Sequence, residues 1–96
     1  MKYSRILWDA EGDPEGNIEH IAEHDLTVED VESVLVKPTS EGQSNSTGLP
    51  AAWGYTLDGR YIIVVYDAID QDTIRVVTAY EVPEPKAKPK KKKKRK

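Results

Sequence analysis

Arg60-Tyr-Ile-Ile-Val-Val-Tyr-Asp67 is the stretch whose reading decides the fold. Between its charged ends it is β-branched or tyrosine with no polar break, so it reads as a strand covered on both faces. A strand of that kind belongs in the middle of a sheet. The run before it, Ala52-Trp-Gly-Tyr-Thr-Leu57, leads into Asp58-Gly59, a dipeptide suited to a two-residue type I′ hairpin. The run after it, Thr73-Ile-Arg-Val-Val-Thr-Ala-Tyr80, follows a polar connector at 67–72 that is long enough for a second reversal. Three consecutive antiparallel strands therefore hold the second half of the domain together.

Working outward, residues 3–8 form a short aromatic and aliphatic run that suits an edge strand. Asp13-Pro14 looks like a helix start, with Asp13 as N-cap and Pro14 at the first helical position. That helix is expected to run to about His24, with Ile18, Ile21 and Ala22 on one face. Thr27 is a natural N-cap for a second helix. Asp30 stands where the reciprocal carboxylate of a capping box belongs, and Leu26 and Val31 are placed to form a hydrophobic staple. Val28, Val31, Val34 and Leu35 then make a one-sided apolar stripe, which Lys37-Pro38 ends. Residues 39–48 read as a polar loop.

The resulting order is β-α-α-β-β-β. It predicts an α+β domain over residues 1–82, with two short helices packed on one face of a small antiparallel sheet. Residues 83–96 are rich in proline and lysine, with nothing apolar to bury, and are expected to form a disordered basic tail.

The formal net charge of −3 hides an asymmetry. Residues 1–82 hold five basic side chains against sixteen acidic ones, a balance of −11. Residues 83–96 hold nine basic against one acidic, a balance of +8. An acidic body thus precedes a basic tail, and the tail suits polyanions held by counterion release. Lys90, Lys91, Lys92, Lys93, Lys94, Arg95 and Lys96 are its candidate nucleic-acid contacts. The same tail can instead fold over the protein's own acidic body.

The chain has no cysteine, so it has neither a disulfide framework nor a thiolate site. No secretory signal or membrane-length apolar run is present, and the expected location is cytoplasmic, with no membrane contact. His20 and His24, four apart on the first helix, can share a face. No third ligand is indicated and the zinc-protease spacing is absent, so no metal or cofactor is expected.

Several pieces in order carry a family resemblance. They are Ile6-Leu7-Trp8-Asp9, Asn17 ahead of His24-Asp25-Leu26-Thr27, and Glu29-Asp30-Val31. Gly59-Arg60 entering Val64-Val65-Tyr66, and Arg75-Val76-Val77-Thr78-Ala79, complete the set. Over roughly residues 6–80 the chain resembles the BrnT family, RelE-like ribonuclease toxins of bacterial type II toxin–antitoxin pairs. The resemblance implies a cytoplasmic, metal-independent endoribonuclease acting on mRNA, with a cognate antitoxin and RNA as partners. It departs from the family where relatives tend to carry lysines, here Glu11 to Gly16 and Glu23, and where Tyr80 stands for an arginine.

Metal-independent RNA cleavage needs a base for the 2′-hydroxyl, a cation for the phosphate and an acid for the departing oxygen. His24 suits base or acid because its pKa is ordinarily near neutrality. Arg60 and Arg75 suit a bidentate phosphate clamp, and Tyr80 or Tyr66 a hydrogen-bond donor. The catalytic candidates are therefore His24, Arg60, Arg75 and Tyr80. A plain structural role is also open: a cap or packing residue at a helix end for His24, a solvated strand end for Arg60, and for Arg75, which interrupts an apolar strand, a partner in place of a ligand. The alternative function is a catalytically inactive interaction module on the same fold, binding a protein or nucleic acid through its acidic body or basic tail.

Overall fold

The computed structural model describes residues 4–85. Seven elements follow in the order β1 (Arg5–Leu7), α1 (Asn17–Ala22), α2 (Val28–Val36), β2 (Ser40–Gln43), β3 (Pro50–Tyr55), β4 (Tyr61–Ala68) and β5 (Thr73–Glu81). The sheet order is β1-β5-β4-β3-β2. β4 is central, and its six residues from Tyr61 to Tyr66 are all buried. β3, β4 and β5 pair antiparallel, as the sequence implies.

Both helices cover one face. Ile21, Leu26, Val31, Val34 and Leu35 meet Ile62, Val64, Tyr66, Ile74 and Val76 in the main core. Among the described residues no helix covers the other face. There Ala51, Ile63 and Val65 are buried beneath larger neighbours such as Trp53, Val77 and Tyr80 from the same sheet.

Four local expectations are corrected. The sheet is mixed, because β1 lies parallel to β5, with Ile6 beside Ile74. A fifth strand, β2, occupies part of the expected polar loop and pairs antiparallel with β3. It has no apolar face of its own and all four residues are exposed. It forms because β3 offers an open edge, along which Ser40 to Gln43 pair with Trp53 to Pro50.

The β3–β4 reversal is not a two-residue type I′ turn. Thr56 and Arg60 close it (Thr56 N–H to the Arg60 carbonyl, 2.8 Å), and Gly59 takes the left-handed conformation at φ 91°. That is the pattern of a three-residue loop with a bulge. The first helix starts at Asn17 rather than Pro14, with Gly16 as an extended N-cap. Asp13 instead makes a tight turn, its carboxylate accepting the Glu15 N–H at 3.0 Å and its carbonyl the Gly16 N–H at 2.9 Å.

The second helix starts as read, at Thr27 with both halves of the capping box formed. Between the helices, Asp25 takes φ 63° and the Leu26 N–H reaches back to the Ile21 carbonyl at 3.1 Å, a Schellman-type end to α1. Beyond β5, the Val82 N–H donates to the Tyr61 carbonyl (3.0 Å), and Tyr55 Oη donates to Glu84 (2.7 Å). The expected basic contacts, Lys90 to Lys96, lie outside the described residues, as does nearly all of the expected disordered tail. Among the described residues no helix is long and apolar enough to cross a membrane.

Candidate functional site

Arg60 leaves the β3–β4 loop and points at the turn between the helices. Its Nε lies 3.1 Å from Asp58 Oδ2, its Nη2 donates to Asp30 Oδ2 at 3.2 Å, and its Nη1 donates to the Asp25 carbonyl at 2.7 Å. Asp25 adds a carboxylate 3.9 Å away. The hydrogen bond donated to Asp58, with the charges of Asp58, Asp30 and Asp25, pushes the Arg60 pKa up. Asp58 is held below its ordinary value by hydrogen bonds from the Thr56 hydroxyl and from Arg60. Asp30 serves twice, accepting the Thr27 N–H at 3.0 Å for the capping box as well as the Arg60 guanidinium. One guanidinium among three carboxylates leaves this cluster net negative.

Arg75 sits at the opposite end of β5. Its Nη2 donates to Asp9 Oδ2 at 2.6 Å. The same carboxylate oxygen accepts the Asn17 N–H at 2.8 Å, and Asn17 Oδ1 accepts the Asp9 N–H at 2.8 Å. The Asn17 amide, only 2% exposed, also donates to the carbonyls of Leu7 and Val76 at 3.0 Å each. Asp9 is held below its ordinary carboxylate pKa, first by the Asn17 backbone and then by Arg75.

His24 follows α1 and is exposed. Its ring centroid lies 5.7 Å from that of Tyr80 and 6.0 Å from that of His20. Among the described residues no group of three His, Asp or Glu side chains is placed to hold a metal ion.

Of the four catalytic candidates, the structure brings His24 and Tyr80 together and places Arg60 on Asp25, the next residue in the chain. Arg75 is held by Asp9, in a separate hydrogen-bonded cluster. Tyr66 lies on the helix-covered face, in the main core. Arg60 and Arg75 thus take part in two separate ion-pair clusters. Both arginines face the protein's own carboxylates instead.

The partners Asp9, Asn17, Asp30 and Asp58 were not assigned to a site by the sequence. A signal was available in the charge balance: with sixteen carboxylates to five cations in residues 1–82, a sheet arginine meets an aspartate within its own chain.

These features define an acidic α+β domain, helices on one side of a five-stranded mixed sheet, in which Arg60 and Arg75 are paired with carboxylates of the same chain. The chain belongs to the family described as domain of unknown function (DUF4258), whose model matches residues 18–81. The matched span opens inside α1 and closes on the last residue of β5, leaving β1, Asp9 and Asn17 outside it. No curated protein and no solved structure matches the chain.

Proposed function

We propose that this domain is an interaction module, whose acidic body binds a cation-bearing protein partner. One observation carries the reading: Arg60 and Arg75, the cations expected to face a phosphodiester, are held by Asp25, Asp30, Asp58 and Asp9. Beside His24 and Tyr80 the local field is that of three carboxylates around one guanidinium, which repels a polyanion rather than gathering it. Charge accumulating on a phosphate has no free guanidinium there to meet it. The basic residues 86–96 extend the module with a segment suited to nucleic acid, so the two ends of the chain favour partners of opposite charge.

The His24–Tyr80 contact favours a second reading, an endoribonuclease toxin of a bacterial toxin–antitoxin pair, in which His24 works with Tyr80 and Arg60 is released when substrate or partner binds. Incubating the purified full chain with mRNA in excess chelator separates the two. The module leaves the RNA intact, and expressing it does not arrest growth. Metal-independent cleavage that His24→Ala abolishes would overturn the module reading.

A further inference from the structure

From Asp9 to Glu32 the chain carries ten carboxylates and no lysine or arginine. In the middle of this segment α1 and the start of α2 flank a groove of about 480 Å³. Its apolar lining comes from Ile18, Ala22, Leu26 and Val28, and its acidic lining from Glu11, Glu19 and Glu29. Leu26 is 3% exposed and anchors the floor in the main core, whereas Ala22 is open to solvent. Glu19 is steadied by the Gly12 N–H at 3.1 Å, which fixes one side of the rim.

The rim carboxylates have a different status from those bound to the arginines. Asp9, Asp25 and Asp30 face Arg75 or Arg60, while no ion pair among the described residues engages Glu11, Glu19 or Glu29. An apolar floor set among uncompensated like charges selects by two criteria at once. The floor favours an aliphatic side chain, and the rim favours lysine or arginine flanking it.

We infer that this groove is the docking site of the module proposed above, and that its occupant is a basic segment of a partner protein, anchored by an aliphatic side chain between lysines or arginines. The inference rests on the interaction-module reading and names its site. The chain's own basic end meets only one of the two criteria: residues 86–96 supply nine cations but no apolar side chain larger than proline to fill the floor. Nucleic acid meets neither.

The test uses the full chain and a labelled synthetic peptide of Leu-Lys-Lys repeats, with an oligolysine of equal charge as competitor. Three variants are compared: Ala22→Trp, which fills the groove; Glu29→Lys, which reverses a rim charge; and Glu41→Lys, which makes the same charge change on β2, outside the groove. Thermal melts confirm that each is folded. Docking in the groove predicts that Ala22→Trp and Glu29→Lys each weaken the peptide on the order of tenfold, while Glu41→Lys changes it less than about twofold. Oligolysine then competes poorly.

Equal loss in Glu29→Lys and Glu41→Lys, unchanged binding in Ala22→Trp, or no binding by the wild-type chain would overturn the assignment. The chelator-resistant cleavage assay decides the interaction-module reading separately. Intact RNA with no peptide binding removes the groove alone, and cleaved RNA removes the module.

Discussion

Asp9 and Asn17 hold each other reciprocally: the Asn17 N–H donates to Asp9 Oδ2 and the Asp9 N–H donates to Asn17 Oδ1, both at 2.8 Å. The pair does for the start of α1 what a capping box does at adjacent residues, but it joins the helix to the end of β1. Its amide then reaches the carbonyls of Leu7 and Val76, where β1 departs from β5. A three-residue parallel strand is too short to be held by its own ladder. Asn17 fastens its far end, while the Ser4 and Arg5 N–H groups donate to the Asp72 carbonyl and Ile6 packs on the core.

Asn17→Ala is therefore expected to destabilise the domain more than a surface substitution does. It leaves the Leu7 and Val76 carbonyls and the Asp9 N–H without the buried partner they have now, at a combined cost of about 2–4 kcal/mol. Urea unfolding of the variant measures it. A loss below about 0.5 kcal/mol would show that water replaces the amide at this junction.

Gly16 makes the same junction sterically possible. A Cβ there would stand 2.8 Å from the Asp9 Cβ and 3.3 Å from the Asp13 carbonyl oxygen, closer than side chains approach. Its φ of −84° is open to any residue, so the constraint is contact and not conformation. Gly16→Ala should cost about 1–3 kcal/mol by pushing the Asp9 loop away from α1. The accompanying sign is weaker exchange protection of the Asn17 and Asp9 amides, and unchanged protection there would refute the mechanism.

How far the fold was legible depends on where each element's stability comes from. β4 and α2 carry their determinants within themselves, one as an unbroken β-branched run and the other as a capping box with an apolar stripe. β2 carries almost none, and Ser40–Gln43 becomes a strand only through the edge of β3. The start of α1 depends on Asp9, eight residues upstream. The candidate site is the extreme case. An arginine in an apolar strand signals that Arg75 requires a partner, but the partner is Asp9, 66 residues away, and no local pattern could choose it over a phosphate.

Acid should expose the same contacts. Asp9 and Asp58 both have pKa values held below their ordinary 3.8 in the folded chain. A depressed carboxylate contributes stability above its unfolded value, and that contribution fades as pH falls through the folded value. Stability should thus be level in this respect at neutral pH and decline below about pH 4. In Asp9→Asn the neutral-pH stability is lower and the acid decline shallower. Parallel curves for variant and wild type would show that Asp9 gains nothing from Asn17 and Arg75.

Gly54 offers a check on the helix-covered face. A Cβ on it would lie 3.1 Å from Val34 Cγ1 and 3.6 Å from the Pro38 Cα, so α2 approaches β3 as closely as a glycine permits. Gly54→Ala is expected to cost about 1–3 kcal/mol through overpacking. Adding Val34→Ala in the same chain should recover part of that loss despite the smaller core. Additive losses in the double variant would show that the added methyl group is not strained against Val34.

Arg60 fastens the β3–β4 loop to the helix turn, and its replacement separates that role from a catalytic one. Arg60→Ala removes the hydrogen bond to the Asp25 carbonyl and leaves Asp30 and Asp58 without their cation. These are partly exposed pairs, so the expected loss is about 1–2 kcal/mol for the three together. Arg60→Lys should recover little of it, because an ammonium cannot span the Asp58 carboxylate, Asp30 and a carbonyl as the guanidinium does. The loss should appear locally as faster amide exchange around Leu26 and Thr27, and it should shrink as salt screens the carboxylates left behind. If Arg60→Ala is as stable as wild type while a measurable RNA cleavage disappears, the side chain serves the phosphate and not the fold.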